Sequence, residues 1–239
     1  MDWGLPAAHA LAADADLAVV VDVLSFTTAV TVAAERGIAV HPYPWRGDGA
    51  AAYAEARDAV LAVSRSEARQ HGGVSLSPAG LREVQGVERI VLPSPNGSAI
   101  SFVLADSGAT VLAASLRNRR AVAEWLAARL AAGRTVAVIA AGERWPDHSL
   151  RPAVEDLWGA GGVLAALADL GVGDLSPEAR VAESAYRAAA DQLPGHLSAC
   201  VSGRELVEAG FPDDVAIAAE VDTSTAVPVL SGAAFVVVA

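Results

Sequence analysis

VVVDVLSFTTAV, residues 19–30, decides how this chain is read. Three valines run without a polar break into Asp22, and a Ser/Thr-rich turn follows. Extended leftward, LAVVVDVL (17–24) is continuously apolar apart from Asp22, where a half-buried strand would alternate. It therefore reads as a strand covered on both faces. SFTTAVTVAAERG (25–37) reads as the helix after it, capped by Ser25 or Thr27 and closed by Gly37. The aspartate is the anomaly, because a buried, unpaired carboxylate requires a cation, a cluster of donors or a proton.

The same strand-then-helix unit recurs. VERIVLP (87–93), ATVLAASL (109–116) and TVAVIAAG (135–142) read as strands. PNGSAISFVLADSG (95–108), NRRAVAEWLAARLAAG (118–133) and VEDLWGAGGVLAALADLG (154–171) read as turns and helices. Such alternation implies right-handed crossovers and an α/β class: three layers, α/β/α, around a mainly parallel or mixed sheet. IAVHPYP (38–44) is expected as a short strand whose prolines, Pro42 and Pro44, point to an edge or an early exit. Residues 47–70 are expected to form one surface helix stopped by Gly72 and Gly73. Past Leu175, residues 176–193 and 202–210 read as helices, and 215–222, 227–230 and 233–239 as late strands. With no repeat or linker in evidence, residues 1–239 are expected to form a single domain.

Composition narrows the function. The net charge is −11, with 17 basic against 28 acidic residues, which argues against a nucleic-acid partner. No run reaches the roughly eighteen apolar residues of a membrane span. The opening MDWGLPAAHALAADADLAVV lacks a basic leader and carries Asp2, Asp14 and Asp16, so the expected location is the cytoplasm. The single Cys200 excludes an internal disulfide and reads as a small buried thiol. The expected partners are a small anionic molecule and, in a homodimer, a second copy of the chain.

In a parallel sheet the strand-to-helix turns gather on one edge beside helix N-termini. Four such turns here are polar: DVLSFTT (22–28), PSPNGS (93–98), SLRNRR (115–120) and AGERWPD (141–147). Asn96 and Gly97 suit positive φ and exposed N–H groups, and Ser98 adds a hydroxyl, which makes a phosphate cradle or an ordinary tight turn. Arg117 is a fork suited to an anion or a solvated surface cation, with Ser115 and Asn118 beside it. Asp22, Glu143, Glu155 and Asp156 are the acidic candidates; the last two also suit a helix start for dipole reasons. If they converge, two or three carboxylates with water and phosphate oxygens suit magnesium.

Other chemistries find less support. A haloacid-dehalogenase site needs a second aspartate where Leu24 stands. GxxxxGK[ST] and GxSxG are absent, and GAGG (159–162) follows helical residues where a dinucleotide loop would follow a strand, so its glycines read as packing positions.

Taken in order, VVVDVLSFTTAV, the PNGS turn, SLRNRRAVAEWL, VAVIAAGE with VEDLWGAGG, and GRELVEAGFPDDVAIAAEVDTSTAVPVL resemble the 2-phosphosulfolactate phosphatase family. The resemblance spans about residues 18–229. It implies a three-layer α/β fold and Mg2+-dependent hydrolysis of a phosphate monoester that carries a sulfonate. Asp22, Asn96, Gly97, Ser115, Asn118, Glu155 and Asp156 match the family's motifs, and on this reading Asp22, Glu155 and Asp156 are expected to hold the metal, Asp22, Asn96 and Asp156 to be catalytic, and Ser25, Thr27, Thr28, Gly97, Ser98, Ser115, Arg117 and Asn118 to bind substrate. Two departures stand out: Ser25 replaces the family's usual arginine, and its glycine-rich block survives only as SRSEARQHGGVSLSPAGL (64–81). A metabolite-binding relative without turnover, and a nucleotide-binding α/β domain, are the competing readings.

Overall fold

The computed structural model describes residues 1–11, 14–44 and 48–238. The strands are β1 (Asp2–Trp3), β2 (Leu17–Val21), β3 (Ala39–Tyr43), β4 (Val60–Leu61), β5 (Arg89–Pro93), β6 (Thr110–Ala114), β7 (Val136–Ala140), β8 (Glu143–Arg144), β9 (Leu150–Arg151), β10 (Pro228–Ser231) and β11 (Ala234–Val237). The helices are α1 (Gly4–Leu11), α2 (Phe26–Glu35), α3 (Asp48–Glu55), α4 (Arg65–His71), α5 (Pro78–Glu83), α6 (Gly97–Leu104), α7 (Arg119–Ala131), α8 (Val154–Asp169), α9 (Pro177–Ala189), α10 (Leu193–Ala199), α11 (Val201–Glu208) and α12 (Pro212–Ala218). No helix among the described residues is long and apolar enough to cross a membrane.

Nine strands form one mixed sheet in the order β1-β7-β2-β6-β10-β11-β3-β5-β4. It contains two parallel blocks, β1-β7-β2-β6 and β3-β5-β4, joined by the antiparallel hairpin β10–β11. β2 lies in the middle of its block, which explains its unbroken apolar run. Leu17, Val19 and Val21 pack with Val122, Leu126, Val163 and Leu167 on one face. Ala18 and Val20 pack with Phe26, Val30 and Ile100 on the other. The α7–α8 side is drawn in tightly at Gly161, where a Cβ would stand 2.0 Å from the Ala182 carbonyl oxygen of α9. The GAGG glycines thus serve helix packing.

Four local expectations are corrected. The stretch expected as one helix over 47–70 is α3, β4 and α4: the chain turns at Asp58 (φ 49°), and a Ser64–Glu67 capping box opens α4. Gly47, where that expected helix begins, and Ala239, where the last expected strand ends, lie outside the described residues. Of the edge or early exit expected for IAVHPYP, the edge is corrected: the strand is interior, between β11 and β5, and it ends at Tyr43, just before Pro44. The expected strand over 215–222 is instead the end of α12 and the coil after it. Pro212 in the first turn with Asp213 and Asp214 is a helix-start pattern. Finally, the polar turns do not leave one parallel sheet, since β5 belongs to the block that runs opposite to β2, although 22–28, 93–98 and 141–147 still meet through side-chain hydrogen bonds.

Candidate active site

The first residue past β2 is Asp22, and its carboxylate is not stranded. Oδ1 accepts the Phe26 N–H at 3.1 Å and Oδ2 accepts the Gly97 N–H at 2.8 Å. Those are the first residues of α2 and α6, so one carboxylate sits on two helix N-termini, where a negative charge is favoured. The approach is close enough to require glycine. A Cβ on Gly97 would stand 2.7 Å from Asp22 Oδ2 and 2.7 Å from Phe26 Cδ1.

Asp156 makes a matching bridge from the first turn of α8. Oδ1 accepts the Val23 N–H at 2.7 Å and Oδ2 accepts the Gly142 N–H at 2.8 Å, which ties the exits of β2 and β7 to one side chain. Glu155 is buried beside it and contacts the Cys200 thiol. Glu143, half-buried in β8, accepts the Asn96 side-chain amide at 2.7 Å. Among the described residues none of these four acids forms an ion pair.

Crowding these acids out of water shifts the protonation of Asp22, Asp156 and Glu143. Burial pushes the Asp22 carboxyl up to about 6 from an ordinary 3.8; the Gly97 and Phe26 N–H groups and the Arg65 charge pull it down, and Glu155 pushes it further up. Burial, then the charges of Asp22 and Glu155, hold Asp156 well above the usual carboxylate range. Glu143 rises to about 7 through burial and the charge of Asp22, restrained by the Asn96 hydrogen bond. Cys200 is pushed up to about 12 by burial, which keeps it a thiol.

The structure assigns the other sequence-predicted residues differently. Thr27 Oγ1 donates to the Asp22 carbonyl at 2.8 Å and accepts its N–H at 2.9 Å, and Thr28 Oγ1 donates to the Val23 carbonyl at 2.8 Å. Both fasten the loop. The phosphate cradle expected at PNGS does not form: Asn96 has φ −108°, the Gly97 N–H is taken by Asp22, and the Ser98 hydroxyl bonds the Leu92 and Tyr43 carbonyls at 2.8 and 2.9 Å. Ser115 and Asn118 close on each other, with Asn118 Oδ1 accepting the Ser115 N–H at 2.8 Å. Arg117, expected to orient substrate, is 3% exposed, and its terminal nitrogens are engaged by Glu35 and Glu220. It is a buried ion-pair centre. Ser25 accepts a hydrogen bond from Arg65 Nη2, and Arg65 Nε donates to Asp214 Oδ2 at 2.7 Å. Sequence reasoning missed Arg65 and Asp214, which meet Ser25 from 40 residues and Arg65 from 149 residues away along the chain.

The donor set is carboxylate oxygen only, which suits a hard divalent cation, and buried acids without ion pairs gain from one. Among the described residues no group of three or more His, Cys, Asp or Glu side chains is arranged to hold a metal ion. An all-protein cage is therefore absent among the described residues, and Asp22 and Asp156 are the groups that would hold a divalent cation completed by water and substrate oxygens. Next to the acids, Asn96 and Glu143 line a cavity of about 310 Å³ whose wall includes Gly4, Pro95, Ile100 and His148.

The model of a family described as 2-phosphosulpholactate phosphatase matches residues 5–233. A protein of Thermus thermophilus named "Probable 2-phosphosulfolactate phosphatase" is 32% identical over 219 residues, 91% of this chain and 89% of its own. A Deinococcus radiodurans protein of the same name is 28% identical over 219 residues, covering 90% and 88%.

Proposed function

Because the chain belongs to the 2-phosphosulpholactate phosphatase family, we propose that it is a magnesium-dependent phosphatase that converts 2-phosphosulfolactate to sulfolactate and inorganic phosphate. The observation that carries this reading is the set of four acids, Asp22, Glu143, Glu155 and Asp156, gathered without an ion pair among the described residues. Asp22 and Asp156 would hold magnesium, with Glu155 buried beside them, and the bound ion would supply charge neutralisation to the phosphate oxygens. The chain supplies the rest. Two backbone N–H groups lock each aspartate, so neither has to reorganise when the substrate arrives.

Glu143 is the proton carrier in this scheme. With its carboxyl near 7 it is partly protonated at neutral pH, and it lies beside the cavity where the ester's alcohol portion would sit. As a water oxygen forms the new P–O bond and the ester oxygen departs with its bonding pair, the Glu143 proton goes to the departing oxygen and releases the alcohol, and a proton from the attacking water restores the Glu143 carboxyl. Asn96 orients the carboxyl by its 2.7 Å hydrogen bond. In the deciding experiment, phosphate release from 2-phosphosulfolactate is followed with and without magnesium for the wild type and Asp22→Asn. Magnesium-dependent release that disappears in the folded variant supports the reading; unchanged turnover in Asp22→Asn overturns it.

A further inference from the structure

Four acids attract a cation but repel any anion, so a substrate with a second acidic group needs its own partner near them. Arg65 is built for that task. Its side chain is 18% exposed, and Nε donates at 2.7 Å to Asp214, which is 1% exposed. Asp214 is itself held by the Ser77 hydroxyl at 2.6 Å and the Ala79 N–H at 3.1 Å, so the clamp on the guanidinium is rigid. Nη2 bonds the Ser25 hydroxyl, three positions beyond Asp22 on the same loop, and the Arg65 charge reaches the Asp22 carboxyl. Nη1 has no hydrogen-bond partner among the described residues. Arg65 also lines a cavity of about 400 Å³ shared with Arg69, Ser75, Ser77, Glu83 and Phe211. Arg69 lies 4.4 Å from the Phe211 ring and donates to the Gly210 carbonyl at 2.7 Å, adding a second cation to that wall.

We propose that Arg65 is the specificity-determining residue of the site: its Nη1 edge binds a second acidic group of the substrate, a carboxylate or a sulfonate, while Asp214 and Ser25 fix the fork. The proposal rests on the phosphatase reading above for what the substrate is. A fork already fixed at Nε and Nη2 loses little freedom on binding, so its charge-assisted hydrogen bonds discriminate strongly between esters with and without the second group.

Binding is the test, because it does not require turnover. Calorimetry in magnesium-containing buffer compares methylphosphonate, which has a single acidic group, with phosphonoacetate and 2-phosphonoethanesulfonate. The wild type is expected to prefer one of the two bifunctional probes by about tenfold or more over methylphosphonate, and which one it prefers identifies the second group as carboxylate or sulfonate. In Arg65→Gln that preference collapses toward unity. Arg65→Lys keeps a cation beside Asp214, guards against misfolding, and is expected to retain only part of the preference because an ammonium lacks the fork. A preference that survives in folded Arg65→Gln or is intact in Arg65→Lys overturns the proposal, as does its absence in the wild type. Preference lost on substitution, in a protein that releases phosphate from no ester, keeps the subsite and overturns the phosphatase reading. Turnover by a wild type without preference does the reverse.

Discussion

Replacing Asp22 with asparagine separates the electrostatic cost of the site from its fastening role. The Asp22 carboxyl is raised from 3.8 to about 6, so between those values the folded protein holds a proton that the unfolded chain has released. Stability therefore falls as pH rises through that window and levels off above it. At about 1.4 kcal/mol per pH unit the loss amounts to about 3 kcal/mol for this one group. Asparagine cannot ionise, and the hydrogen bond it forfeits to Phe26 or Gly97 adds an offset that does not change with pH. Urea unfolding of the wild type and Asp22→Asn in chelator, at intervals from pH 4 to 8, should thus show the wild type losing about 3 kcal/mol relative to the variant. Saturating magnesium should flatten the difference, since coordination favours the ionised carboxylate. A stability difference that stays constant with pH in chelator would refute the argument that burial and neighbouring acids strain this group.

Other outcomes follow from contacts described above. Gly97→Ala forces a methyl to within 2.7 Å of Asp22 Oδ2 and Phe26, and is expected to lose about 1–3 kcal/mol in the same unfolding assay; a neutral change would remove the close approach from the account. Asp156→Asn can accept from only one of the Val23 and Gly142 N–H groups with its single oxygen. The unmatched N–H should cost about 1–3 kcal/mol, together with a large loss of phosphate release. Arg117→Met leaves Glu35 and Glu220 without their buried partner, so it should lower the melting temperature while KM for the ester stays within about twofold of wild type; a rise in KM alone would return Arg117 to the substrate.

Much of the architecture was legible because burial on two faces leaves an unmistakable trace in β2, where every residue from Leu17 to Val21 is apolar. Asp22 was legible for a related reason, since an acid in so apolar a setting must be matched by something, whereas Asp156 stood out only as an acid of a helix start and through the family resemblance. What those acids are matched by was not legible. The N–H donors of Phe26, Gly97, Val23 and Gly142 carry no side-chain signature, so the PNGS turn was read as facing a ligand when it faces Asp22. Arg117 and Arg65 look alike in sequence, each in a polar stretch beside a helix start. Only tertiary placement gives one two carboxylates and the other a single clamped one. The break at Asp58 and the Pro212 helix start were present as turn and capping chemistry, and apolar periodicity outweighed them.

The bridge made by Asp156 also sets a timetable. Val23 and Asp156 lie 133 residues apart, and the Asp22 to Gly97 contact spans 75. A chain emerging from the ribosome can lay down β2, β6 and β7 and still have no acid for the Val23 and Gly142 amides. The repelling charges come together only when α8 arrives, on a platform whose apolar strands are already in place. The part of the molecule that resists assembly most is synthesised so that it closes late, and a chain cut short before residue 156 would lack both the acid that closes this corner and the β10–β11 hairpin that joins the two parallel blocks.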